Sequence, residues 1–358
     1  MSGNLPKHPE SILVVRLGAM GDVLHAMPAL AALRKACPET RVGWVIERRW
    51  SELLISQDEG AATMFGSRTL IDALHTVDTR AWRKNLFQPA TWRDIRTSVG
   101  VIRAERYSVA IDFQGAIKSA LLARVSDAAE IFGFTQPRES AAKLWYTNQV
   151  NVTAAHVIDQ NLQLASAIVR QPLMPERVEL PHSARAEQWC DEFLRGRGLN
   201  HFVLLSPGSG WGAKCWPAER YAGVAKRLAG AGLKSLINYG PGEESLASAV
   251  ATASIGSAET VSCSLAQLIA LTRRASLFIG SDTGPMHLAA ALKIPTVALF
   301  GPTDPARNGP YWKPSIVLRS EQSVTSYTHV AEADPGLHSI SAGTVVAASA
   351  QLLGVPIA

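Results

Sequence analysis

The sequence predicts an α/β protein of two parallel-sheet domains facing a central cleft. Three observations carry that reading. Apolar, β-branched runs of strand length alternate with amphipathic runs of helix length, so each strand is followed by a covering helix rather than a hairpin. The strand runs "ILVVRL" (12–17) and "RVGWVIE" (41–47) are apolar almost throughout, the pattern of a sheet buried on both faces. The chain is also longer, at 358 residues, than one core usually serves, and the alternation restarts near residue 201.

In chain order, the first strand ends at Gly18 and leads into a helix that stops near Cys37. Pro28 is expected in the first turn of the main part of that helix, where its missing N–H costs nothing. Asp22 is then expected in the loop or short turn ahead of it. The strand 41–47 follows Pro38. "YSVAIDFQG" (107–115) is a strand and turn feeding the helix "AIKSALLARV" (116–125). The cations of 93–106 read as a solvated helical face, and "RAWRK" (80–84) as a loop packing three cations around Trp82. Three prolines in 170–187 make that stretch the linker. Beyond it, "HFVLLSPGS" (201–209), "LKSLINYGPGEES" (233–245) and "ASLFIGSDTGP" (275–285) each read as a strand followed by a turn, and "PAERYAGVAKRLAGAG" (217–232) as a helix. The resulting division is 1–178 and 179–335 for two Rossmann-like domains, with 336–358 a C-terminal helix that can pack back on either half, the first included.

Composition narrows the function. A net charge of +5 suits an anionic substrate or surface but is too small to argue for nucleic acid without a basic motif. The four cysteines are scattered, with no CxxC pair or zinc spacing, which favours a reduced, cytoplasmic protein. No signal peptide is evident at the start, and no apolar stretch reaches the ~18 residues that span a bilayer.

Ligands of open parallel sheets sit beyond the carboxyl ends of the strands, so the turns there matter most. In "RLGAMGDVLHAMPAL" (16–30) Gly18 and Gly21 give GxxG, short of the GxGxxG that a dinucleotide needs. Asp22 is either a helix cap or a general base within reach of a substrate hydroxyl. In "SPGSGWGAKCWP" (206–217), Ser209 and Gly210 offer a hydroxyl and open backbone N–H groups, and Lys214 a point charge, a combination that suits phosphate. Glu243 and Glu244 open a helix, where they favour its dipole or accept ribose hydroxyls. In "GSDTGPMHLAAALKIPTVALFGPTDP" (280–305), Asp282 or Thr283 can cap a helix, Pro285 fits its first turn, and Gly284 leaves the backbone open to an anion. Asp282 would repel a diphosphate, so it suits a sugar's hydroxyls. His287 is a packed or capping histidine, or else a phosphate or sugar contact.

These segments, with "VVRLGAMGDVLHAMPALAALRKACP", "RAWRKNLF" and "IDFQGAIKSALLAR", resemble the bacterial lipopolysaccharide heptosyltransferases, in particular the type I enzymes. The resemblance runs from about residue 12 to 305. It implies a GT-B fold and an inverting transfer, without metal or other cofactor, of heptose from ADP-L-glycero-D-manno-heptose to the Kdo of nascent lipopolysaccharide. It makes Asp22 the base. Lys214, with Ser209, Gly210, Thr283 and Gly284, would hold the donor's phosphates, with His287 nearby. Asp282 would contact the heptose and Glu243 or Glu244 the ribose. Kdo carboxylates and lipid A phosphates would meet Arg80, Arg83 and Lys84, joined by Gln114, Lys118 and Arg138, with the protein held weakly at the cytoplasmic face of the inner membrane. A sibling enzyme would share the donor turns and differ around 80–138. A nonenzymatic nucleotide-sugar binder would not need Asp22.

Overall fold

Leu13, Val14 and Val15 have no exposed surface, as a continuous apolar run demands of a strand covered on both faces. They belong to β1 (Ser11–Val15), the third of six parallel strands in the order β5–β2–β1–β6–β7–β8. The others are β2 (Arg41–Glu47), β5 (Ala73–Val77), β6 (Val109–Asp112), β7 (Glu130–Phe134) and β8 (Asn148–Val150), while β3 (Met64–Phe65) and β4 (Arg68–Thr69) form a small antiparallel pair. The helices are α1 (Met20–Ala36), α2 (Thr79–Lys84), α3 (Pro89–Ala104), α4 (Ile117–Arg124) and α5 (Val157–Val169). This is a computed structural model, and it describes residues 8–56, 58, 61–326, 332 and 334–357. The chain forms two compact units, Met1–Pro181 and His182–Ala358, so the boundary falls at the last proline of the predicted linker.

The second unit repeats the topology. Its sheet runs β11–β10–β9–β12–β13–β14, all parallel: β9 (Phe202–Ser206), β10 (Lys234–Asn238), β11 (Ala258–Val261), β12 (Leu277–Ser281), β13 (Thr296–Phe300) and β14 (Ser315–Arg319). Its helices are α6 (Ala184–Gly196), α7 (Ala218–Gly230), α8 (Glu244–Ala253), α9 (Leu265–Arg274), α10 (Gly284–Ala291), α11 (Pro305–Asn308), α12 (Pro335–Ser339) and α13 (Ala342–Leu353). In both sheets the strand order reverses beside the first strand, between β1 and β6 and between β9 and β12. That reversal opens a crevice at the carboxyl ends where a ligand fits.

Two expectations are corrected and an open one is decided. The first helix begins at Met20, not near Pro28, which lies in its interior. Asp22 supplies the reason: its carboxylate accepts the Ala19 N–H (3.0 Å), starting the helix two residues after Gly18. "RAWRK" is not a loop. Asp78 accepts the Ala81 N–H (2.8 Å) and caps the short helix α2. The C-terminal helix, which by sequence could pack on either half, packs within the second unit. Val345, Val346 and Ala348 of α13 join Val203, Val224 and Val297 in the second unit's core, where their apolar surface is used up. The arginines at 93, 96 and 103 do lie exposed on or beside the helix α3. None of the described helices is long and apolar enough to cross a membrane.

Candidate active site

In the first unit, the strand ends gather most of the residues singled out from the sequence. Arg16 follows β1 as a nearly buried cation. Its guanidinium donates to the Phe113 carbonyl and pairs with Asp22 (2.6 Å). One carboxylate oxygen of Asp22 thus faces a cation and the other the helix start, and the side chain stays 40% exposed. Asp22 therefore holds the helix start while its side chain stays partly open to solvent. Gly18 carries φ +150°, and a Cβ there would lie 2.6 Å from the Trp50 indole nitrogen, so only glycine fits this turn. Gln114 accepts the Leu17 N–H (2.9 Å), tying the turn after β6 to the end of β1.

That turn is organised by Asp112, which is fully buried. It accepts the Gln114 and Gly115 N–H groups (2.8 and 3.2 Å), the Ser119 hydroxyl (2.9 Å) and the Tyr146 hydroxyl (2.7 Å). Burial pushes its carboxyl above the usual carboxylate range, and those donors only partly offset the rise. Lys118 donates to the Thr79 hydroxyl (3.3 Å), which donates in turn to the buried carboxylate of Glu47 at the end of β2. Arg80, Arg83 and Lys84 lie exposed on α2, which follows β5, and Arg138 lies exposed in the loop after β7. The Arg138 backbone lies against Gly115.

In the second unit the central feature is Asp282, buried just past β12. The Lys214 ammonium donates to its carboxylate (2.6 Å) and to its carbonyl (3.1 Å), and His287 Nε2 lies 3.0 Å from the other carboxylate oxygen. Burial alone would raise the Asp282 carboxyl. The hydrogen bond and charge of His287, with the Lys214 ammonium, outweigh it and hold the group well below the usual carboxylate range. Asp282 therefore does not cap α10. Thr283 takes the N-cap position, without a side-chain cap bond, and its hydroxyl donates to the Ser281 carbonyl (3.3 Å). Pro285 sits in the first turn and Gly284 opens the helix. Ser209 accepts the Trp211 N–H (3.2 Å), Gly210 is exposed, and Lys214 lies 5.1 Å from the centre of the Trp211 ring.

Of the two candidate glutamates the structure brings one to this turn. Glu243 folds back, accepts the Gly240 N–H (2.8 Å) and lies so close to Gly208 that a Cβ there would stand 2.1 Å from its carboxylate. Glu244 is exposed in the first turn of α8.

Residues 97–334 match glycosyltransferase family 9 (heptosyltransferase), well over half of the chain. The chain belongs to this family. It is 30% identical over 314 residues to lipopolysaccharide heptosyltransferase 1 of Pseudomonas aeruginosa, covering 87% of this chain and 84% of that protein. It is 26% identical to the enzyme of that name from Escherichia coli K12, covering 86% and 93%. Among solved structures, the E. coli heptosyltransferase WaaC with ADP matches at a TM-score of 0.75 and 25% identity, over 96% of this chain and 99% of that one. The protein is a glycosyltransferase of GT-B fold.

Within this family member, Arg16, Glu47, Asp112 and Gly208 escaped the sequence reading as site-building residues. The signal for three of them was present. Arg16, Glu47 and Asp112 are charges adjoining or ending apolar strand runs, and a buried charge needs a partner.

Proposed function

We propose that the protein transfers heptose from ADP-L-glycero-D-manno-heptose to the Kdo of a lipid A-linked acceptor, with inversion and without a metal. The observation that carries the reading is the Lys214–Asp282–Thr283–Glu243 cluster, gathered beyond β9, β10 and β12 in a family whose named relatives are heptosyltransferases. The second unit holds the donor, and the first supplies the base and the acceptor contacts. Asp22 takes the proton from the acceptor hydroxyl, and that oxygen forms the new bond to the anomeric carbon as the carbon–oxygen bond to ADP breaks.

The leaving diphosphate gains charge as it departs. Lys214 and the N–H groups at the start of α10 meet it, consistent with a sequence that has no DxD-like metal motif. Lys214 swings from Asp282 toward the phosphates, which frees the carboxylate for heptose hydroxyls while His287 keeps it oriented. Glu243 takes the ribose. Arg80, Arg83, Lys84, Gln114, Lys118 and Arg138 receive the acceptor's carboxylates and phosphates, Arg in particular through paired N–H groups. The lipid acceptor places the protein peripherally on the cytoplasmic face of the inner membrane.

The test weighs the product after incubation with Kdo-bearing lipid A and, in turn, ADP-heptose, GDP-sugars and UDP-sugars. The expected gain is one heptose from ADP-heptose alone. Transfer from a different nucleotide sugar, or to a protein instead, overturns the assignment. Asp22→Ala is expected to keep ADP affinity while turnover falls ~10²–10⁴-fold. Near-normal turnover would remove Asp22 as the base.

A further inference from the structure

The turn joining α2 to α3 exposes more apolar surface than a soluble face needs. Phe87 is 102% exposed, as open as in an isolated extended peptide, with Leu86 at 44% and Trp92 at 50%. Single exposed apolar residues are ordinary; three large ones within seven residues form a patch. The turn is also built. The Trp92 indole N–H donates to the Leu86 carbonyl (2.8 Å), the Asn85 amide donates to the Ala81 carbonyl (3.2 Å), and the Gln88 N–H donates to the Asn85 carbonyl (3.0 Å). Trp82, packed partly against the first unit's core, fixes α2 from beneath.

Charge identifies the partner. Between residues 80 and 96 stand five cations, Arg80, Arg83, Lys84, Arg93 and Arg96, against one carboxylate. That carboxylate, Asp94, accepts the Trp82 indole N–H (2.6 Å). These seventeen residues carry a net +4, in a chain whose whole surplus is +5. An apolar tip flanked along the chain by exposed cations matches an anionic bilayer, whose phosphates meet the charges while the tip enters the acyl boundary. A tip that stands this clear of its neighbours suits a yielding lipid surface.

We propose that Leu86 and Phe87 form a membrane-docking wedge, inserted into an anionic bilayer while the flanking cations engage lipid phosphates. This rests on the membrane association proposed above and assigns it to insertion as well as charge. The wedge adjoins the candidate acceptor residues, because Thr79, the first residue of α2, is bonded to both Glu47 and Lys118. An acceptor anchored in the same bilayer arrives beside them.

The test is co-sedimentation of the full-length protein with phosphatidylcholine vesicles, with and without phosphatidylglycerol. The wild type is expected to partition onto the anionic vesicles only. Leu86→Ser/Phe87→Ser is expected to bind about tenfold or more weakly at the same salt, and Phe87→Trp to keep the binding. The serine variant is further expected to turn over a deacylated, water-soluble acceptor normally and a vesicle-borne one poorly. Undiminished partition of the serine variant, or equal partition onto uncharged vesicles, overturns the proposal. So does a serine variant that converts a dimer to a monomer with vesicle binding unchanged, since the turn is then a subunit interface. A wild type that transfers nothing to either acceptor instead sinks the assigned reaction, and the vesicle result still decides the wedge.

Discussion

Asp282 shows how a buried carboxylate is kept as an ion. A carboxylate that far from water survives as an ion only because Lys214 and His287 compensate it. Its folded value lies below the ordinary 3.8, which fixes the sign of the pH dependence. The stabilisation is complete above pH 3.8 and drains away as the pH falls through the lower folded value. Acid unfolding should therefore steepen below pH 3.8 in the wild type, and Asp282→Asn should flatten that part of the curve. Superimposable acid limbs would show that no such ion pair exists. The residue types at this site were legible in the sequence. Their pairing was not, because Lys214 and Asp282 are 68 positions apart and only the adjacency of β9 and β12 joins them.

At the scale of elements, the turns after β9 and β10 are built to touch. Gly208 has no side chain, and the Glu243 carboxylate fills that space. Gly208→Ala is expected to push Glu243 aside. The displaced group is the free end of a flexible chain, so the melting temperature should hardly move. ADP affinity should fall about tenfold, the cost of roughly one charged hydrogen bond; unchanged affinity by calorimetry would separate Glu243 from the donor. The strand runs were readable because burial on both faces leaves an unbroken apolar signature, and β2 matches its predicted bounds. The helix starts were less so. Met20 begins α1 because Asp22 bonds back to Ala19, a local contact that the proline signal at 28 obscured.

For the whole molecule, each unit carries its own sheet and core, and α13 completes the second. Residues 182–358 expressed alone are accordingly expected to fold cooperatively and to bind ADP with the affinity of the full chain, while transferring nothing without Asp22. Calorimetry on the isolated unit checks this, and an unfolded or ADP-blind fragment would refute it. Two domains were legible from the restart of the strand–helix alternation. The place of α13 was not, since an apolar helix face carries no address for the core that will bury it.

Two parallel sheets, the turns at their carboxyl ends and the family's residue types followed from the sequence by itself, because they rest on periodicity and on small residues at fixed spacing. Which cation neutralises Asp282, which glutamate approaches Gly208, and that Arg16 and Asp22 form a pair were decided only when distant strand ends came together. Long-range pairing is a property of the assembled sheet, and no local pattern encodes it.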